Sequence, residues 1–360
     1  MGIVILEETR KAELEEFRRM LLSCAAVHRR KDDDGFGNQE SVSPPENGDV
    51  LDRMVCVTSG VSYLGIAIVN RLLVNGYSVR ILVHNEEDVE KLREMEISGE
   101  MRLNNSIVEV VMAKLTEVES LTAAFDGCRG IFHTASFVDP TGLSGYSKTM
   151  ANIEVNATKN VMKACGVSST VRHCVLTSSL LTCIWQDYSN DQVSHQIDHK
   201  SWSDESICIN KKLWYALGKL KAEKAAWDIA KETGVKLATI CPGLITGSEF
   251  YQRSPTSTIA FLKGAQEMYT YGLLATTEID RLAKAHVVVF EEMKKMASGR
   301  YICFDKVIER EDELEKAVAE TGISTSSIIE GASCSNNVRF ELSNAKLGRL
   351  MSRTRRCYNE

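Results

Sequence analysis

The stretch Val55–Gly65, VCVTSGVSYLG, decides the fold of this chain. Four β-prone residues, Val55 to Thr58, run into Ser59 and Gly60, and a helical apolar pattern follows from Leu64. Strand, small-residue turn and helix form the unit that seats the pyrophosphate of a dinucleotide on a helix N-terminus. Such a turn ordinarily has glycine at three positions, three residues apart: one for the bend, one for close approach of the phosphates, one for helix–strand packing. Here those positions read Ser59, Ser62 and Gly65, with Gly60 one place late. A serine adds only a small side chain, and its hydroxyl can itself donate to a phosphate. After Tyr63, the helix beginning near Leu64 still offers free N–H groups and a positive dipole end, so the turn, with Tyr63 and Leu64, reads as altered yet phosphate-binding. If Ser62 had to adopt positive φ, the strain would be roughly 1 kcal/mol.

Outward from this turn, strand and helix patterns alternate. Strands are expected over Met54–Thr58, Ser78–Val83, Ile107–Met112, Gly130–His133, His173–Thr177 and Lys236–Ile240. Helices are expected over Leu64–Val74, Glu86–Glu94, Val118–Phe125, Met150–Cys165 and Leu213–Thr233. That alternation implies an α/β fold, a Rossmann-type doubly wound parallel sheet that binds ligands at the carboxyl ends of its strands. Residues 50–247 are assigned to this sheet. Residues 248–360, where the alternation weakens, are assigned to a smaller mixed α/β substrate region interleaved with it, ending in a frayed basic tail. Ahead of the sheet, residues 8–31 read as a helix with Leu14, Phe17, Leu21 and Ala25 on one face, followed by a polar, Gly- and Pro-containing linker to Asp49. The helix packs on the main domain or contacts a protein partner.

Composition narrows the function classes. The chain has 360 residues, 44% hydrophobic and 26% charged, with net charge −6, which argues against nucleic acid or an anionic membrane surface as a partner. No apolar run reaches the ~18 residues of a membrane span. Eleven cysteines occur without a CxxC pair, which suits reduced thiols and a cytoplasmic location. The N-terminus is too acidic for a transit peptide and its apolar run too short for a signal peptide. His195 and His199 in HQIDH have the spacing of two zinc ligands on a helix. The stretch reads as loop and lacks a third ligand, so no metal is assigned.

Catalytic chemistry is signalled by KKLWYALGK. Tyr215 and Lys219 lie four apart in a helical pattern, on one face. A phenol with pKa near ~10 is a poor acid at pH 7, and a neighbouring ammonium lowers that pKa. Such a tyrosine can protonate a carbonyl that takes up hydride. Ser179 closes the strand pattern HCVLTSS, 36 residues before Tyr215, where a hydroxyl can hydrogen-bond the same oxygen. A Tyr four before a Lys arises often by chance. Here it is the one case among ten tyrosines, and it follows a dinucleotide-like turn and a Thr-Ser-Ser strand end.

Taken with VCVTSGVSYLG, FDGCRGIFHTAS, NATKNVMKAC, SWSDES, WYALGKLKAEKAAW, ICPGLITG and GRYICFD, these motifs resemble the extended short-chain dehydrogenases/reductases, in the plant cinnamoyl-CoA reductase-like and dihydroflavonol reductase branch. The resemblance runs from about Arg53 to about Leu350. It implies that Ser179, Tyr215 and Lys219 form a catalytic triad and that Asn156 completes a tetrad. It implies that Lys219 also binds the nicotinamide ribose, that Pro242 lies beside the nicotinamide, and that Ala135 lies near the adenosine–pyrophosphate side. His84 stands where the branch tends to have Arg for a 2′-phosphate. No acid falls at that strand tip, so NADPH is expected, with NADH possible. Lys114 replaces the Asp that usually contacts adenine. Around the tyrosine the branch's NWYCYGK reads LWYALGK, and CPG at Cys241 replaces Asn-Pro, so a more apolar pocket is expected.

The reading is an NADPH-dependent reductase of a phenylpropanoid-type carbonyl: a cinnamoyl-CoA thioester, an aldehyde or a ketone. The alternative is a non-catalytic nucleotide-binding or defence-related scaffold whose cofactor turn has drifted at Ser59, Ser62, His84 and Lys114. An epimerase or dehydratase, sharing the same triad, is a third.

Overall fold

The computed structural model describes residues 53–101, 108–135, 146–187, 195–247, 255–318 and 339–357. The N-terminal helix and linker expected over residues 1–49 lie outside the described residues.

The elements in chain order are β1 (Met54–Val57), α1 (Tyr63–Val74), β2 (Ser78–Val83), α2 (Glu86–Ile97), β3 (Val108–Met112), α3 (Val118–Phe125), β4 (Gly130–His133), α4 (Lys148–Val167), β5 (His173–Thr177), the short α5 (Leu181–Ile184) and β6 (Gln196–Ile197). There follow α6 (Glu205–Asn210), α7 (Trp214–Thr233), β7 (Lys236–Pro242), β8 (Leu244–Thr246), α8 (Pro255–Leu262), α9 (Ala265–Thr270), β9 (Ala275–Glu278), α10 (Ile279–Glu292), β10 (Gly299–Cys303), β11 (Lys306–Val307), α11 (Glu311–Val318), β12 (Glu341–Leu342) and α12 (Ala345–Cys357).

Seven parallel strands form the main sheet in the order β10-β7-β5-β4-β1-β2-β3. The strand cores are continuous apolar runs such as MVCV and HCVLT, as a sheet covered on both faces requires. Chain order reverses between β1 and β4, which opens a crevice at their carboxyl ends. One layer of the core packs α1, α10 and α12 on the sheet through Ile68, Leu72, Val289, Phe290 and Leu347. The other packs α3, α4 and α7 through Phe125, Val161, Met162 and Ala226. A third apolar cluster, with Trp185, Phe261, Met268 and Leu342, underlies the smaller sheet β11-β9-β8 and the pair β12-β6.

Two details depart from the sequence expectations. Residues 299–303, beyond the last strand expected, add β10 to the main sheet beside β7 (Tyr301 opposite Ile240, Cys303 opposite Pro242). HQIDH is not a loop: its Gln196 and Ile197 form β6, the His195 carbonyl accepts from Glu341 N at 2.8 Å, and the His195 ring packs on Phe340. Backbone pairing to β12 recruits that stretch. His199 lies beside Asp198, with Nδ1 3.6 Å from the carboxylate.

Helices α4 and α7 lie side by side and carry the catalytic candidates. Gly218 lets them approach: a Cβ there would stand 3.0 Å from Ala151 Cα and 3.2 Å from the Tyr146 hydroxyl. Among the described residues no helix is long and apolar enough to cross a membrane, and eight cysteines are buried free thiols.

Candidate active site

At the crevice, β1 ends and the chain turns through Thr58–Ser62 into α1. Gly65 is obligatory, because a Cβ would fall 1.8 Å from the Ser59 carbonyl oxygen. Ser62 sits at φ −76°, ψ 156°, so positive φ is not needed and the strain allowed for at this position is absent. An extended backbone is the ordinary conformation of an N-cap, and Ser62 is one: its Oγ accepts from Gly65 N at 3.0 Å and donates to the Ser59 carbonyl at 2.7 Å. One N–H that the turn could offer a phosphate is therefore taken by the protein itself. Gly60 lies against Ile81, where a Cβ would be 2.5 Å from Cγ2.

The neighbouring strand ends complete this side. Thr58 Oγ1 accepts from Thr134 N and Ala135 N, both at 3.3 Å, and lies 3.0 Å from His133 Nδ1, to which it donates. His133 Nε2 then donates to Thr158 Oγ1 at 3.2 Å. Burial, with Lys219 and His84 nearby, pulls the pKa of His133 down to about 3, so it is neutral. The Thr134 hydroxyl is buried and has no hydrogen-bond partner among the described residues. An orphaned hydroxyl at the carboxyl end of β4, facing the strand–turn–helix unit that leads into α1, fits a dinucleotide's phosphates.

At the tip of β2, His84 Nδ1 donates to the Ala113 carbonyl at 3.1 Å. The sequence reading that no acid falls at this tip needs correction. Asp88 Oδ2 accepts from His84 N at 3.0 Å, while Asp88 N donates to Asn85 Oδ1 at 2.9 Å. The first turn of α2 folds back in a capping-box arrangement and brings a carboxylate to the strand end. Lys114, just beyond β3, is exposed and pairs with Glu117 at 3.2 Å.

On the other side of the crevice, Ser179 and Pro242 follow adjacent strands β5 and β7, joined by Leu180 N donating to the Pro242 carbonyl at 2.7 Å. The two serines divide: Ser178 Oγ is committed to Glu223 Oε2 at 2.6 Å, whereas Ser179 Oγ accepts from Leu181 N at 3.2 Å, leaving its proton to donate. Tyr215 and Lys219 share one face of α7, with Lys219 Nζ 5.8 Å from the Tyr215 ring centroid. Lys219 is buried, and its Nζ lies 2.5 Å from Glu154 Oε1. Burial works against the ammonium, but Glu154 and then Tyr215 outweigh it and hold the pKa above the ordinary lysine value. Glu154 Oε2 accepts from the Tyr146 hydroxyl, whose pKa is driven far up by burial and by that carboxylate, so Tyr146 keeps its proton. The Tyr146 ring packs edge-on against Tyr215, centroids 5.1 Å apart.

Asn156 does not join this group. It is exposed, two residues from Glu154 and so on the opposite side of α4. Glu154 and Tyr146 were not anticipated. The signal for Glu154 was present: it falls in line with Ala151, Ala157, Thr158 and Val161, a carboxylate inside an apolar stripe.

The chain matches the 3-beta hydroxysteroid dehydrogenase/isomerase family over residues 56–298. It is 36% identical to cinnamoyl-CoA reductase 1 of Petunia hybrida over 74% of this chain and 77% of that one. It is 33% identical to tetraketide alpha-pyrone reductase 1 of Arabidopsis thaliana, over 72% of this chain and 78% of the relative. Among solved structures, vestitone reductase from alfalfa superposes with TM-score 0.58 at 27% identity, covering 82% of this chain and 91% of that one. Yeast methylglyoxal/isovaleraldehyde reductase Gre2, complexed with NADPH, shares the fold with TM-score 0.60 at 20% identity, over 83% and 93% of the two chains. The chain belongs to the 3-beta hydroxysteroid dehydrogenase/isomerase family of NAD(P)-dependent oxidoreductases, in the branch that holds the plant cinnamoyl-CoA reductases.

Proposed function

We propose that the protein reduces a phenylpropanoid-type carbonyl, a cinnamoyl-CoA thioester, aldehyde or ketone, with NADPH. The observation that carries the reading is the buried ammonium of Lys219 beside the Tyr215 ring, at the mouth of a crevice fitted for a dinucleotide. The turn Ser59–Ser62, the N–H groups of Tyr63 and Leu64, and the Thr134 hydroxyl hold the phosphates. Ala135, His84 and Lys114 line the adenosine side, and Lys219 and Pro242 the nicotinamide side. When bound, the reduced nicotinamide supplies a hydride. Tyr215 gives its proton to the carbonyl oxygen, Ser179 donates a hydrogen bond to the same oxygen, and Lys219 stabilises the phenolate left behind. Ala216 and Leu217 are buried in the apolar cluster on which Tyr215 also packs. Free buried thiols suit a reducing, cytoplasmic compartment.

Turnover of a panel of cinnamoyl-CoAs and cinnamaldehydes, with NADPH and NADH titrated separately, tests this. Tyr215→Phe is expected to lose nearly all turnover while NADPH binding persists. An active Tyr215→Phe enzyme sinks the mechanism. The scaffold reading draws support from Ser62, which spends one of the turn's N–H groups on its own cap. Absence of binding at millimolar NADPH would decide for it.

A further inference from the structure

The roles assigned above leave the buried charge beside Lys219 without a task. Glu154 is 2% exposed, and both its oxygens are engaged, one by Lys219 and one by Tyr146. Tyr146 in turn packs on Tyr215, so the side chains close a ring: Tyr215, Lys219, Glu154, Tyr146. Among the described residues, the other ionisable groups around Lys219 bring little net charge. His133 on β4 is neutral. Glu223, one turn further along α7, is closed by Arg300 from β10. Glu205 at the head of α6 is paired with Lys224 and Lys221. Lys148, Lys159 and Lys163 on α4 point to solvent. Among the described residues, the carboxylate of Glu154 is thus the counter-ion of the Lys219 ammonium.

We propose that Glu154 is a positioning residue: it holds Lys219 in a buried ion pair and so sets the pH at which the Tyr215–Lys219 pair gives up its first proton. The proposal rests on the assignment of Tyr215 as proton donor. Lys219 Nζ lies 5.8 Å from the Tyr215 ring centroid, close enough for the two to titrate as a pair. An adjacent negative charge favours the state in which both are protonated. Taking the charge away lowers the first deprotonation whichever group yields the proton. If Lys219 yields it, burial without a counter-ion has destabilised the ammonium; if Tyr215 does, an unbalanced ammonium has favoured the phenolate. Carbonyl reduction needs the proton on Tyr215 and the charge on Lys219. Glu154 therefore extends to higher pH the range in which the site is ready to reduce.

The test uses the full chain and Glu154→Gln, which keeps the shape and removes the charge. Carbon-13 NMR of protein labelled at tyrosine Cζ and lysine Cε follows the pair from about pH 6 to about pH 11, without substrate or cofactor. Tyr215→Phe and Lys219→Met assign the signals. The first deprotonation is expected at least one pH unit lower in Glu154→Gln, roughly a tenfold loss of proton affinity, and the alkaline limb of turnover shifts with it. An unchanged or higher first step overturns the proposal. If Glu154→Gln does not fold, Tyr146→Phe serves: the carboxylate stays, loses its phenol donor, and raises the first step by a smaller amount, roughly twofold to fivefold. A fall, or no change, overturns the proposal there too. Protein that titrates as expected yet reduces no carbonyl rejects the reductase reading and keeps this one; active protein with an unshifted titration does the reverse.

Discussion

Two buried carboxylates face cations beside the same helix, α7, and they are built for different ends. Glu223 is fully buried and takes Arg300 Nε at 2.8 Å, Ser178 and Thr239 hydroxyls at 2.6 Å each, and the Thr182 hydroxyl at 2.9 Å. Burial opposes its charge, but Arg300 and these hydroxyls outweigh it and hold its pKa below the ordinary carboxylate value. Arg300 is fixed in turn by stacking at 3.6 Å on Trp202. The Glu154 pair has two partners, Lys219 and Tyr146, and stands at the crevice. The cation differs as well. Arginine cannot shed its charge, so its pair is a permanent clamp between α7 and β10. Lysine can be neutralised, so its pair can respond to what enters the site.

Stability measurements separate the two most widely. Glu223→Gln leaves an arginine buried without its counter-ion and is expected to cost about 3–5 kcal/mol in urea unfolding at neutral pH. Glu154→Gln leaves a lysine that can release its proton, and a loss of about 1–3 kcal/mol is expected. Equal losses would erase the distinction. The folded pKa of Lys219 is raised, so the Glu154 pair contributes fully below the unfolded lysine value and its contribution fades as pH rises through the folded one.

Protons on histidine sharpen the contrast from the acid side. His133 lies under the site, and His286 on α10 lies under the scaffold, its Nε2 2.8 Å from Thr177 Oγ1. Burial pulls their pKa values down to about 3 and about 4. Both fold neutral, and the unfolded chain takes up protons first, so stability falls as pH drops below about 6.5 towards the folded values. Each contributes a slope of roughly 1.4 kcal/mol per pH unit, and unfolding at pH 7 and pH 5 measures the loss, to which His173 and His199, also held below the ordinary value chiefly by burial, add smaller parts. His286→Asn and His133→Asn should each remove a substantial part of it. A flat profile in the unaltered protein would contradict neutral burial. The smallest effect is at the turn: Ser62→Ala removes the cap of α1 and should cost about 1 kcal/mol. No loss there would mean that Gly65 N needs no cap.

The sheet was largely legible in the sequence. Strand tips at Ser78–Val83 and Gly130–His133 and the helix Val118–Phe125 follow from apolar runs bounded by turn residues, because local periodicity tracks burial there. β10 was not, because GRYIC is short and joins the sheet only by pairing with β7, far back in the chain. At the candidate site, the spacing that put Tyr215 and Lys219 on one helix face matches α7. Motif resemblance could not orient α4: Asn156 fits the motif but faces solvent, while Glu154 lies within the apolar stripe. The acid at the tip of β2 was missed because Asp88 is four residues from His84 and reaches it only through the cap of α2.

Because β10 is contributed by residues 299–303, the last support of α7 is synthesised late. Until Arg300 emerges from the ribosome, Glu223 has its hydroxyl neighbours and no cation, and the edge of β7 is open. A nascent or truncated chain ending before residue 299 therefore carries Tyr215 and Lys219 on a helix whose base is not yet locked. Closure thus waits on residues 299–303, and chaperone dependence should be greatest for intermediates that stop just short of them.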